Sequence, residues 1–213
     1  MDREGRLTEV YLKTKTREVK TDFYDSWSKQ YEEDMESVEY RGPAVVASVL
    51  AKLYSKGRQD VHILDVAAGT GLVGVELAKE GFIKIDALDP SKGMLDEAKT
   101  KGVYQAMICS YFDGNEQDIA PNTYEAIVVC GACNNSHLPR ECLWEVVRLL
   151  KPGGYFVMAT RPSLLETAED YKGNFDLLMD EIENQGIWKR NAKEIVPNYH
   201  KNKQGIIFVY QLK

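Results

Sequence analysis

The 213-residue sequence predicts an α/β protein, a doubly wound and mostly parallel seven-stranded sheet with an antiparallel C-terminal hairpin strand. Three observations carry this. From about residue 44, short apolar runs alternate with stretches of helical periodicity, the pattern of strands joined by helices. Such units wind with right-handed crossovers, which makes their strands parallel. Near the end, "KEIVPNYH" and "GIIFVYQ" flank only "KNKQ", a hairpin that adds one antiparallel strand.

In chain order, Val45, Val46, Val49, Leu50 and Leu53 keep one helical face, and Pro43 suits the start of that helix. "VHILDVA" reads as a buried first strand, and "LVGVELAKEG" as a helix ending at Gly81. "FIKIDALD" is a second strand, "SKGMLDEAKTKG" a short helix and "VYQAMICS" a third strand. "YEAIVVCGA" is a fourth strand. "RECLWEVVRLL" puts Leu143, Val146, Val147 and Leu150 on one face, "KPGG" breaks that helix, and "YFVMAT" is a fifth strand. Phe175, Leu178, Met179 and Ile182 are helix-spaced, and the hairpin completes seven strands. Residues 43–213 form one domain in this reading, and residues 1–42 an N-terminal helical lid. In that segment Tyr24, Trp27 and Tyr31 follow an i, i+3, i+7 stripe, opposite Asp25, Glu32, Glu33 and Asp34. The stripe either packs on the core or closes over a ligand, and it can do both.

The net charge of −6 disfavours broad binding to nucleic acid or to an anionic membrane, since both need basic surface. The opening "MDREGRLTEV" has no apolar core of a signal peptide, and no apolar run reaches the roughly 20 residues needed to span a bilayer. Of four cysteines, Cys130 and Cys133 make one CxxC with His137 nearby. A structural zinc usually wants a second ligand pair, so these read as small hydrophobes at a strand end and no metal is expected. A soluble protein of a reducing, cytoplasmic compartment fits.

"DVAAGTGLVG" carries the chemistry. From Gly69 it spells G-x-G-x-x-G through Gly71 and Gly74, which alone is a weak dinucleotide signal. Its register differs from a dinucleotide turn, because Asp65 and three small residues precede the first glycine. A carboxylate there repels a pyrophosphate and suits a ligand with an amino group and positive charge. Asp89 closes the second strand, where a carboxylate accepts hydrogen bonds from both hydroxyls of a ribose. Singly, each Asp could be a satisfied turn or helix cap; at successive strand ends they read as a site.

These residues, with "DALDPSKGML", "YEAIVVCGA" and "VVRLLKPGGYFVMAT", resemble the class I S-adenosylmethionine-dependent methyltransferases over residues 43–213. The family usually has glycine where Ala67 stands. The "YDSWSKQYEEDM" extension looks like that of the methyltransferase-like family associated with the Williams–Beuren syndrome region. The resemblance implies a Rossmann-like fold, S-adenosylmethionine as cofactor and S-adenosylhomocysteine as product. Asp65 would then contact the cofactor's amino group, directly or through water. Ala67, Gly69 and Gly71 would give backbone contacts, and Asp89 would hold the ribose. Pro90, Ser91 and Met94 would flank the adenine. Ser110 and Tyr111 stand where the family often has an acid at the adenine amine, so a hydroxyl or backbone group must replace it. Cys130 would lie near the methionine part. Tyr24, Trp27 and Tyr31 would form the lid and stabilise the sulfonium through their ring faces.

Methyl transfer from a sulfonium is an in-line displacement that rests mainly on positioning, and it needs a base only for an acceptor that must lose a proton. His137, in "NNSHL" after strand four, is a weak candidate for that base. The same region lacks the Asn/Asp-Pro-Pro-Tyr segment that amine-methylating enzymes of DNA resemble one another in. Expected partners are therefore a small-molecule acceptor first and a protein side chain second, with no nucleic acid and no membrane. Two other classes compete: a non-catalytic protein that binds S-adenosylmethionine or S-adenosylhomocysteine, and, less favoured, an NAD(P)-dependent oxidoreductase, for which no second catalytic domain follows.

Overall fold

The computed structural model describes residues 17–132, 138–167 and 175–213. A seven-stranded sheet of order β3-β2-β1-β4-β5-β7-β6 forms its centre. The strands are β1 (His62–Val66), β2 (Lys84–Leu88), β3 (Ala106–Ile108), β4 (Tyr124–Cys130), β5 (Leu150–Thr160), β6 (Trp188–His200) and β7 (Lys203–Leu212). The first five pair in parallel; β7 is antiparallel to both β5 and β6, so it is the one reversed strand in the sheet. The order runs outward from β1 in two directions, which opens a crevice beyond the carboxyl ends of β1 and β4.

Alternation along the strands divides the core between the two faces of the sheet. Ile63, Ala126 and Val128 face α2 (Gly42–Leu53) and α3 (Leu72–Lys79), whose Val46, Leu50, Val73 and Leu77 complete that layer. Leu64, Val66, Ile127 and Val129 face the opposite layer, with Leu143, Val146 and Leu149 of α5 (Cys142–Leu149) and Met179 and Ile182 of α7 (Phe175–Asn184). Each of the larger aliphatic side chains removed from water contributes roughly 1.5–3 kcal/mol before entropy is counted. A short helix, α6 (Pro162–Thr167), follows β5.

Two boundaries differ from the sequence reading. The third strand shrinks from eight residues to Ala106–Ile108, because Tyr104 turns inward to bond Asp65 instead of pairing in the sheet. The "KPGG" turn does end α5, yet the strand begins at once, and a register shift between Tyr124 and Ala126 absorbs it. A side chain at Gly154 would stand 2.8 Å from the Glu125 carbonyl, so glycine is needed there.

The N-terminal helix α1 (Arg17–Ser37) lies along α4 (Lys92–Thr100). At the start of α4, Asp25 Oδ1 accepts from Ser91 Oγ (2.5 Å) and from the Gly93 N–H (2.7 Å). Toward its end, Lys101 pairs with Glu32 at 2.8 Å. The acidic face of α1 therefore docks the helix, where the sequence suggested only a polar face.

Candidate active site

Beyond β1 the chain makes a tight turn. Ala67, Gly69 and Gly71 all have positive φ (55°, 55° and 90°). The Ala68 N–H bonds the Leu88 carbonyl of the neighbouring strand at 3.1 Å, and the Gly71 N–H bonds Ala68 at 3.0 Å. Glycine takes such φ values without steric cost, while Ala67 carries roughly 1–2 kcal/mol of strain. A glycine at position 67 would be free of that strain.

Asp89 ends β2 against this turn. Its Oδ2 accepts the Gly69 N–H at 2.9 Å and its Oδ1 the Ser91 N–H at 2.8 Å. Burial pushes this carboxyl up to about 6; the two N–H donors pull it back, and the Asp25 charge adds to the rise. One side chain thus ties the glycine turn to the turn that starts α4.

A cleft that remains partly open to solvent lies between this turn and α1. Ala67, Gly69, Asp89, Pro90, Ser91 and Met94 line its β1–β2 side, Tyr111 and Cys130 its far side, and Tyr24 and Tyr31 its α1 side. The structure thus brings ten of the proposed cofactor residues to one cleft. Four others are placed elsewhere. Trp27 is 3% exposed, turned into a cluster with Phe23, Tyr24 and Tyr31, and donates to Asp34 at 2.8 Å. Gly71 lies behind the turn, where a Cβ would meet the Tyr104 ring at 3.0 Å. Ser110 bonds its own neighbour's carbonyl and does not line the cleft. Asp65 is 1% exposed beneath the turn, on the β1 face that carries α3, and its carboxylate takes the Tyr104 hydroxyl at 2.7 Å. Burial raises Asp65 to about 7, with the Tyr104 bond opposing and the Asp89 charge adding. His137 and Cys133 lie outside the described residues.

The far wall is apolar and uncharged. Cys130 Sγ lies 3.1 Å from the Tyr40 hydroxyl and 3.5 Å from that of Tyr199. Burial pushes its thiol up to about 11 and Tyr40 well above its ordinary value, so neither is an anion near neutral pH. Among the described residues no cluster of His, Cys, Asp and Glu could hold a metal ion, and no helix is long and apolar enough to cross a membrane.

Sequence reasoning missed Lys20, Thr21, Leu88, Phe112 and Ala132 in the lining, whereas Leu138, the last residue of the "NNSHL" stretch expected to face the methyl, does line it. Lys20 and Thr21 sit one turn before Tyr24 on α1, so extending the stripe backwards would have reached them. The Thr21 hydroxyl meets that of Tyr111 at 2.8 Å and joins α1 to the sheet side. Nothing local in the sequence marked Tyr104 or Asp25.

A sheet of this order with one reversed strand, a glycine turn after β1 and a carboxylate closing β2 is the architecture of a class I methyltransferase. An S-adenosylmethionine-dependent methyltransferase from Aquifex aeolicus superposes with a TM-score of 0.62 at 18% identity, over 89% of this chain and 98% of that one. Residues 64–158 match the model of a methyltransferase domain family. Methyltransferase-like protein 27 of Homo sapiens is 33% identical over 172 residues, 80% of this chain and 68% of that protein. A demethylmenaquinone methyltransferase of Corynebacterium glutamicum is 37% identical over 97 residues, 46% of this chain and 40% of its own length. The chain belongs to the S-adenosylmethionine-dependent methyltransferase family and is a methyltransferase enzyme.

Proposed function

We propose that the cleft binds S-adenosylmethionine and that the enzyme transfers its methyl group to a small-molecule acceptor. The observation that carries this is Asp89, a carboxylate in the wall of the cleft. A carboxylate has about four acceptor sites, and Asp89 gives two to backbone N–H groups, which leaves capacity for a ribose diol. At Gly69 a Cβ would meet nothing within 4 Å, so the backbone there is open to close approach by a ligand. The residues present fit the cofactor. Ala67 and Gly69 would hold its amino-acid end, Asp89 its ribose, Pro90, Ser91 and Met94 its base, and Cys130 would lie near the sulfur end. Tyr24 and Tyr31 are the lid residues in this reading, with Trp27 supporting them from behind.

When bound, S-adenosylmethionine supplies a methyl already activated on a sulfonium, so the chain's own task is to orient the two reactants and exclude water. The neutral, apolar far wall at Cys130 and Ala132 suits that task. Small-molecule specificity is supported by Tyr24 and Tyr31 of α1, which wall one side of the cleft and narrow the space for the acceptor, and by the name of the demethylmenaquinone relatives.

Titration calorimetry with S-adenosylmethionine, S-adenosylhomocysteine and NAD in parallel tests the cofactor. Micromolar binding of the first two without NAD is the expected result. Binding of NAD alone would overturn the reading. Turnover with small-molecule acceptors, followed as S-adenosylhomocysteine release, tests the second half, and turnover with protein alone would move the acceptor to a side chain.

A further inference from the structure

The third glycine of G-x-G-x-x-G has no role in the cofactor reading, and Asp65 is buried away from the cleft. One residue accounts for both. The Tyr104 hydroxyl donates to Asp65 Oδ2 at 2.7 Å and accepts the Gly74 N–H at 3.1 Å. That N–H belongs to the first turn of α3, whose opening donors have no partner within the helix. A Cβ at Gly74 would lie 2.3 Å from the Tyr104 ring, and one at Gly71 would lie 3.0 Å from it. Gly71 and Gly74 are thus the seat of a phenol. The ring is held in turn by the segment leading into β3, since the next residue, Gln105, donates to the Ile85 carbonyl of β2 at 2.7 Å.

We propose that Tyr104 is a positioning residue for the cofactor turn: its hydroxyl clamps the Asp65 carboxylate to the N-terminus of α3 and fixes residues 67–71 between them in the shape that receives the ligand's amino-acid end. The proposal rests on the cofactor reading above. Its consequence is electrostatic as well as steric. Asp65 lies under a turn that would receive a positively charged amino group, and its ionised form favours that ligand. The groups that face it are Tyr104 from the β3 approach, Asp89 from the end of β2 and Cys130 from β4. Tyr104 is the titratable donor among them, and its bond, together with one from the Gly74 N–H, favours the ionised carboxylate. The affinity of the turn for an ammonium-bearing ligand therefore rises with pH, in a step near 7 from Asp65 above one near 6 from Asp89.

The test is S-adenosylhomocysteine binding from pH 5.5 to 8.5 by the wild type, Tyr104→Phe, Asp65→Asn and the double variant. Tyr104→Phe keeps the ring and removes the clamp. It is expected to weaken binding about tenfold at neutral pH and to move the upper step alkaline by on the order of one pH unit. Asp65→Asn is expected to abolish that step and leave the lower one, and adding Tyr104→Phe to it should not restore or move a step. A core tyrosine with no positioning role would change stability and leave the pH profile of binding alone. A folded Tyr104→Phe with wild-type affinity and profile would overturn the proposal, as would an Asp65→Asn that keeps both steps. If the wild type binds no S-adenosylhomocysteine, the cofactor reading fails. The clamp is then read from amide exchange in the ligand-free protein, where Tyr104→Phe must expose the Gly74 amide, and unchanged protection would overturn it.

Discussion

The sheet side of the cleft is made largely of backbone, and the lid side of side chains. Residues 67–71 are held at the end of the parallel sheet by N–H bonds to the Leu88 carbonyl, to the Ala68 carbonyl within the turn and to the Asp89 carboxylate. Helix α1 is held by the Asp25 carboxylate, the Thr21 hydroxyl and the half-exposed Glu32–Lys101 pair. Bonds embedded in a sheet open only with a large part of the fold, whereas contacts near the surface open singly and are individually weak. The expectation is therefore that the sheet side acts as the fixed template and that α1, the proposed lid, is the element that yields when a ligand enters or leaves. Gly93 makes room for α1, since a Cβ there would come within 2.9 Å of the Asp25 backbone.

The largest effect belongs to the template. Asp89→Ala should weaken S-adenosylmethionine binding by on the order of 1.5–3 kcal/mol, the scale of hydrogen bonds to a charged group, with the variant still folded. Calorimetry checks it, and unchanged affinity would remove Asp89 from the site.

A second prediction concerns what the template costs. The Asp65 and Asp89 carboxyls sit at about 7 and about 6, above their ordinary 3.8. The folded chain thus binds these protons more tightly than the unfolded one. Their contribution to stability is fully present below about pH 4 and is lost as pH rises through 6 and 7. Asp65→Asn should therefore stabilise the ligand-free protein at pH 8 by on the order of 2 kcal/mol and do little at pH 4. Thermal unfolding at the two pH values decides this; equal shifts at both would refute it.

The lid gives smaller effects. Asp25→Ala removes the cap it places on α4 and should cost about 1 kcal/mol of stability. If the lid is the yielding element, the same variant should release cofactor several-fold faster in stopped-flow with little change in association. Equal slowing of association would place Asp25 in the template instead. Smallest of all, Ala67→Gly should relieve the left-handed strain and stabilise the fold by roughly 0.5–1 kcal/mol, readable as a rise in melting temperature.

The template was legible in the sequence because it is local. "DVAAGTG" and "DALDPS" place turn, carboxylate and helix start within a few residues of one another, so backbone rules alone bring Ala67, Gly69, Asp89 and Ser91 together. The lid was half legible. Periodicity found its helix and two of its lining rings, yet assigned Trp27 to the cleft. The Trp27 indole N–H instead found the buried Asp34 two helical turns further along α1. Periodicity resolves a face of a helix only to about a quarter turn, and a polar partner decides the rest.

By itself, the sequence determined the order of elements, the reversal of the last strand, the turn after β1 and the two carboxylates at strand ends, since periodicity and glycine chemistry act within a few residues. Tertiary structure alone decided that Asp65 faces Tyr104, 39 residues away, and that Asp25 caps a helix 66 residues on. It also decided that Gly71 and Gly74 serve a phenol ring. Such contacts are set by which burial partner satisfies a polar group, and no spacing in the chain encodes that choice.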